Sequence, residues 1–293
     1  MIHFLTESAA HFRRGLIQRG GAVGSVRPSA LADGERSYRL LEDVTRAPVT
    51  VVGSILPAPE SLFDVMAYFR LLRENRARFP NLCIPYLGYA RQDIQTPGEV
   101  ALGVMIGECL RNLNAAAIHV IDPHSPRATD ALGPGVTISS ALPFIAETLR
   151  KGEPFDVVVA PDRGATARAQ ALASMLSPEM GVAVIDKIRP KPNTATAQQL
   201  EGDVKHKRVI LIDDMIDTGG TVIAAVKRLK DAGAGDILVA ATHGVFSGHA
   251  LEKILKLPIE GVIVTNTLPQ PREDRLHVLD LSTLILHQSD QKI

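Results

Sequence analysis

The chain has 293 residues, enough for two domains with separate cores, and its 45% hydrophobic and 22% charged residues are the balance of a globular protein. Lys plus Arg and Asp plus Glu both number 32, so a net basic field for nucleic acid is absent. No apolar run approaches the roughly 20 residues that cross a bilayer, residues 1–20 lack the apolar block of a secretory signal, and Cys83 and Cys109 sit in apolar stretches as core residues, so the cytoplasm is the expected compartment.

Short β-branched runs alternate with helix-length amphipathic segments. Residues 47–55 (APVTVVGSI) predict a buried strand, a proline-marked turn follows at 57–60, and Leu62, Val65, Met66, Phe69 and Leu72 then recur at helical spacing. Residues 82–86 predict a strand, 100–113 a helix and 117–121 a strand. The second half repeats the pattern, with strands at 156–160, 182–185, 208–212, 237–242, 259–265 and 277–281 and helices at 165–176 and 221–232. Residues 186–205, polar with two prolines and several small residues, predict a mobile loop. The expected fold class is α/β, with mainly parallel sheets flanked by helices. The strand–helix layout before and after Pro57 matches that around Asp213, which suggests two similar domains, 1–146 and 147–293.

The sharpest local signal is Val209-Ile-Leu-Ile-Asp213-Asp214-Met-Ile-Asp217-Thr218-Gly219-Gly220-Thr221, leading into an amphipathic helix. A strand delivers this turn to the carboxyl edge of a sheet, where ligands bind in open α/β folds. Gly219 and Gly220 let the backbone approach a ligand closely. The N–H groups from Thr218 to Thr221 then face an anion at a helix N-terminus. Asp213 and Asp214 suit ribose hydroxyls or a Mg²⁺ hydration shell, because carboxylates repel phosphate. There is no Gly-x-x-x-x-Gly-Lys, so the turn is not a Walker loop.

This turn resembles the phosphoribosyl-binding motif of type I phosphoribosyltransferases and ribose-phosphate diphosphokinases. The other motifs resemble the diphosphokinase family over most of the chain, which implies two phosphoribosyltransferase-like domains and transfer of a diphosphoryl group from ATP to ribose 5-phosphate. Ile84-Pro-Tyr-Leu-Gly-Tyr-Ala-Arg91-Gln92-Asp93 is similar to a family segment whose Arg and Gln contact ATP, and a guanidinium there offers a phosphate fork or an adenine-stacking face. Asp33-Gly34-Glu35 resembles the stretch whose acids hold the nucleotide, often across a subunit interface. Asp122-Pro-His124 resembles the family's Asp-x-His, which implies a metal or phosphate role, and Pro161-Asp162-Arg163-Gly164 implies Asp162 as a second carboxylate of the metal site. Lys187-Ile-Arg189 resembles the catalytic Lys-x-Arg, with Arg189 also serving the ribose-phosphate set of Asp213, Asp214, Asp217, Thr218, Gly219, Gly220 and Thr221.

The resemblance implies Mg²⁺, with ATP as co-substrate, and a homo-oligomer built from dimers. No nucleic-acid or membrane partner is expected. Departures from the family pattern fall at Ala165, where a second Gly is usual, at Ile94, where a basic residue is usual, along 125–130, and at Phe4-Leu-Thr-Glu7. The alternatives are a type I phosphoribosyltransferase, for which the N-terminal half is not expected, and a non-catalytic regulatory homologue.

Overall fold

The computed structural model describes residues 1–188 and 197–290, and Arg189 lies outside them. The chain divides into two compact units. The first holds residues 1–140, 267–269 and 280–293, and the second holds 141–266 and 270–279. The expected division at 146/147 thus shifts to 140/141. It also misses the final segment, which belongs to the first unit although it follows the second in sequence.

In the first unit, β1 (Ile2–Leu5), a 3₁₀ turn (Glu7–Phe12), α1 (Arg13–Gln18) and β2 (Ala22–Val23) precede a hairpin of β3 (Val26–Ala30) and β4 (Arg36–Leu40). Then come β5 (Pro48–Val52), α2 (Pro59–Glu74), β6 (Arg78–Ile84), α3 (Leu102–Arg111), β7 (Ile118–Ile121), α4 (Pro126–Asp130) and β8 (Val136–Ser139). The sheet runs β2-β1-β5-β6-β7-β8 and is parallel throughout. Alternate residues of each strand point to opposite faces. Val49, Val51, Leu82, Ile84 and Val120 therefore share one apolar core with Val65, Phe69 and Leu72 of α2 and Ile106 and Leu110 of α3. The intervening residues His3, Thr50, Asn81, Cys83 and His119 put a buried, more polar stripe on the other face. Burial pushes the Cys83 thiol up to about 12, in keeping with a core cysteine.

In the second unit, α5 (Leu142–Leu149) leads to β9 (Val157–Ala160), a 3₁₀ turn (Arg163–Ala165), α6 (Thr166–Leu176), β10 (Gly181–Ile188), β11 (Ala197–Glu201) and β12 (Val209–Ile216). Next are α7 (Gly220–Asp231), β13 (Ile237–Gly244), α8 (Ala250–Leu255), β14 (Gly261–Thr265) and β15 (Leu276–Leu279), and α9 (Ser282–Asp290) ends the chain in the first unit. The sheet order is β11-β10-β9-β12-β13-β14-β15. All pairs are parallel except the antiparallel β10–β11. Both faces are buried: Val157, Val159, Leu211 and Val239 pack with α7, whereas Val158, Ala160, Ile210 and Ile212 pack with α5 and α6.

The expected loop over 186–205 is corrected by this sheet. Residues 186–188 continue β10, and 197–201 pair back on it, with Asp186 opposite Gln199 and Lys187 opposite Gln198. The prolines and small residues masked a strand signal that is set by cross-strand pairing and not by composition. Similarly, β12 runs four residues past the expected end, carrying Asp213 and Asp214 within the strand, because β13 continues to pair with it at Asp213↔Ala241 and Met215↔His243.

Candidate functional site

The phosphate turn begins where β12 ends. Gly219 is the N-cap of α7 at φ 79° and ψ −2°, and it offers no side-chain cap. That left-handed conformation is the one glycine adopts without penalty. A side chain there would also meet Ile254 at 3.0 Å. Gly220 differs from expectation: it is the first helical residue, its φ is not positive, and an added Cβ would find only the Thr218 hydroxyl, at 3.9 Å. The chain bend therefore depends on Gly219, whereas Gly220 leaves the helix start open. The first N–H groups of a helix have no intrahelical acceptor, so an exposed start without a side-chain cap presents donors and the positive dipole end to an anion. The Asp217 carboxylate accepts from the Ser247 hydroxyl, and Ser247 N–H donates to Asp217 O at 3.2 Å, which holds the turn to the strand end of β13.

Behind the turn, the carboxylate of Asp213 accepts from Asp214 N–H at 2.9 Å, and that of Asp214 accepts from Met215 N–H at 2.7 Å. Burial pushes the Asp213 carboxyl up to about 7, and the negative charges of Asp214 and then Asp162 push in the same direction. Asp162 reaches this neighbourhood because β9 lies beside β12. Its carboxylate caps the 3₁₀ turn by accepting from Ala165 N–H at 3.2 Å. Ala165 itself sits at φ −82°, so the glycine usual at this position is not needed for the backbone.

The first unit brings a second group together. Gly88 lies against the segment just past β5: its N–H donates to Ile55 O at 2.9 Å, and a Cβ would stand 2.2 Å from that oxygen. This close approach fixes the turn that carries Arg91 and Gln92. Asp93 accepts from the Ser125 hydroxyl at 2.6 Å, and the same hydroxyl accepts from Ala128 N–H at 3.3 Å as the cap of α4. The Ser125 hydroxyl, with Arg127 and His124 nearby, holds the Asp93 carboxyl below its usual range. The Arg91–Asp93 segment and the 122–125 segment therefore form one cluster, and the departure over 125–130 is what joins them. Asp122 is buried at φ 39°, a costly conformation for a non-glycine residue at a strand end.

Asp33, Gly34 and Glu35 form the exposed tip of the β3–β4 hairpin, where Glu35 N–H donates to the Asp33 carboxylate at 3.0 Å. The hairpin is anchored by residues that the sequence analysis passed over. The Tyr38 hydroxyl donates to buried Asp64 of α2 at 2.6 Å, Arg36 lies 3.4 Å from the same carboxylate, and the Tyr38 ring packs edge-on against Tyr68 at 5.6 Å. No local pattern links positions 38 and 64, so this contact was visible only in three dimensions. An open groove of about 630 Å³ borders Glu35 and is lined by Arg36, Leu62, Phe63 and Met66. Leu62 and Met66 of the expected apolar stripe are accordingly only partly buried.

The expected metal set, Asp122, His124 and Asp162, is split between the two units. Among the described residues, no three His, Cys, Asp or Glu side chains converge as a ready-made metal cage. The Asp213–Asp214 pair fits Mg²⁺ in another way, since that ion commonly takes one or two carboxylates and completes its shell with water and substrate phosphate. Lys187 is described by its backbone in β10, whereas Arg189 falls outside the described residues. Among the described residues, no helix is long and apolar enough to cross a membrane.

A parallel α/β sheet with paired acids at a strand end, followed by an uncapped glycine-started helix, defines a class of sugar-phosphate-binding α/β proteins. Two family models match the chain: the N-terminal domain of ribose phosphate pyrophosphokinase over residues 16–113, and the phosphoribosyl synthetase-associated domain over 187–290. The chain is 36% identical over 249 residues to the ribose-phosphate pyrophosphokinase of Caldanaerobacter subterraneus, covering 84% of this chain and 78% of that protein. It is 33% identical over 260 residues to the Bacillus caldolyticus enzyme of the same name, covering 88% and 82%. Its structure matches the crystal structure of phosphoribosylpyrophosphate synthetase from Mycobacterium smegmatis with a TM-score of 0.89, at 29% identity, over 98% and 97% of the two chains. The chain belongs to the ribose-phosphate pyrophosphokinase family.

Proposed function

We infer that this protein is a ribose-phosphate diphosphokinase, transferring the β,γ-diphosphoryl group of ATP to the C1 hydroxyl of ribose 5-phosphate and releasing AMP. The observation that carries this reading is the presence in one chain of the Gly219 anion turn and of a complete first unit bearing the Arg91–Gln92 cluster. The first supports a pentose phosphate. The second supports a nucleotide co-substrate, which a phosphoribosyltransferase does not need.

The 5-phosphate is held by the N–H groups at the start of α7, with Thr218 and Thr221 hydroxyls as further donors. Asp213 and Asp214 orient the ribose hydroxyls. ATP is held by Arg91 and Gln92, with Asp33, Gly34 and Glu35 at the hairpin tip. The C1 oxygen attacks the β-phosphorus as the bond from that phosphorus to the oxygen on the α-phosphorus breaks, the C1 hydroxyl proton passing to solvent, so the diphosphoryl group moves and AMP leaves. Phosphoryl transfer of this kind depends on alignment and on stabilising the charge that develops on the phosphate oxygens. Lys187 and Arg189 supply positive charge for that purpose. Asp213 and Asp214 would hold Mg²⁺, which would supply Lewis-acid stabilisation of the phosphate oxygens, with Asp122 and His124 of the first unit and Asp162 of the second each a further candidate ligand. The cytoplasm and an assembly built from dimers complete the reading.

The test is direct. The purified chain with ATP, Mg²⁺ and ribose 5-phosphate is expected to form AMP in proportion to phosphoribosyl diphosphate. Absence of AMP, together with consumption of phosphoribosyl diphosphate when a free base is supplied, would transfer the assignment to a phosphoribosyltransferase. Inactivity in both assays, with stimulation of an active relative, would favour the regulatory homologue.

A further inference from the structure

The hairpin that carries Lys187 is poorly supported by its own sheet. β10 pairs with β9 from Gly181↔Val157 only as far as Val184↔Ala160. Asp186 and Lys187 therefore lie beyond the last rung, and on the ladder side they are held by β11 alone. β11 is in turn the edge strand of the sheet. A two-stranded extension of this kind has marginal stability without further support.

That support comes from one side chain just past the end of β9. Arg163 Nε donates to the Asp186 carboxylate at 2.8 Å, and its Nη2 donates to the Glu201 carboxylate at 2.7 Å. Asp186 stands on β10 and Glu201 on β11. The register pairs Asp186 with Gln199 and Val184 with Glu201, so the two acids are diagonal neighbours across the ladder. A rigid guanidinium fork can join two such acceptors, whereas an ammonium is a single point charge. The capping of the 3₁₀ turn by Asp162 fixes the backbone from which Arg163 departs. One residue thus links β9, β10 and β11 where the β9–β10 ladder has already stopped.

We propose that Arg163 is a positioning residue, clamping both strands of the β10–β11 hairpin to the exit of β9 and thereby setting where Lys187 stands for diphosphoryl transfer. This rests on the catalytic reading of Lys187 given above. Arg163 acts through the hairpin and not on substrate, since the two acids already engage its fork.

The experiment compares the full-length wild type with R163A, R163K, E201Q, K187A and R163A/K187A. Amide hydrogen exchange across residues 184–188 and 197–201 is expected to quicken about three- to tenfold in R163A, the scale of an exposed but networked ion pair. In steady-state assays of AMP formation, R163A lowers kcat by about the same factor, with KM for ATP and ribose 5-phosphate within twofold of wild type. E201Q gives a smaller loss, and R163K, which can satisfy only one acid well, recovers part of the activity. On the K187A background, removing Arg163 produces no further loss, which a general folding defect would not reproduce. Unchanged exchange in R163A, or an effect confined to KM, overturns the clamp while leaving Lys187 intact. Full turnover by K187A overturns the catalytic reading of the lysine, and with it the purpose assigned to the clamp, even if exchange quickens.

Discussion

Asp213 is the residue whose chemistry is most altered by its surroundings. Its carboxyl is raised from 3.8 to about 7 by burial and by the charges of Asp214 and Asp162. Between those two values the folded protein keeps a proton that the unfolded chain has released. The stability contribution is therefore fully present below about pH 4 and is lost as pH rises through 7. Asp213→Asn removes that dependence. Thermal melts should show the variant ahead of wild type by a few degrees at pH 8 and by less at pH 5; an equal gap at both would show that burial does not raise this carboxyl. The same substitution should weaken ribose 5-phosphate binding at pH 8, where the carboxylate form is the one that accepts from sugar hydroxyls. On the proposed mechanism, Lys187→Ala should lower kcat by orders of magnitude while circular dichroism stays unchanged, because a cation that stabilises transition-state charge is worth several kcal/mol.

At the scale of elements, the two glycines of the phosphate turn separate cleanly. Gly219→Ala forces a left-handed conformation on a residue with a Cβ, at about 1–2 kcal/mol, and moves α7 away from Ile254, so both stability and ribose 5-phosphate KM should suffer. Gly220→Ala occupies open space in a helical conformation, so urea midpoints should stay level or rise by up to about 1 kcal/mol equivalent. The β3–β4 hairpin offers a parallel case. Tyr38→Phe leaves Asp64 short of a donor in a buried setting. A loss of about 1–3 kcal/mol is expected, together with a higher KM for ATP if the hairpin tip holds the nucleotide. A purely structural role for the hairpin would give the first effect without the second.

For the molecule as a whole, two compact units with separate cores make a single two-state transition the wrong expectation. Calorimetry should resolve two components. Ribose 5-phosphate should raise the component of the second unit, and ATP that of the first, each by mass action on the folded form. If either ligand raised both components equally, the division of substrate residues between the units would be wrong.

Much of this protein was legible as a string. The alternation of β-branched runs with amphipathic segments follows from periodicity, which neighbours in sequence set by themselves, and it located β5–β7, β9, β10, β12–β15, α2, α3, α6 and α7, whereas β1–β4, β8, β11, α1, α4, α8 and α9 were not predicted. The turn from Asp213 to Thr221 was legible for the same reason: a strand, two acids and a glycine pair act within a dozen residues. Other features depend on which distant segments come to lie side by side, and no local pattern encodes that. The raised carboxyl of Asp213 comes first from burial, then from Asp214, and is added to by Asp162 just past the neighbouring strand β9. The β10–β11 hairpin, hidden by prolines, exists through cross-strand pairing. Tyr38 with Asp64, Ser125 with Asp93, and Arg163 with Asp186 and Glu201 join residues 23 to 38 positions apart. Local sequence sets backbone preference and apolar pattern, whereas burial, charge coupling and hydrogen-bond pairing arise only when the folded chain brings separate segments into contact.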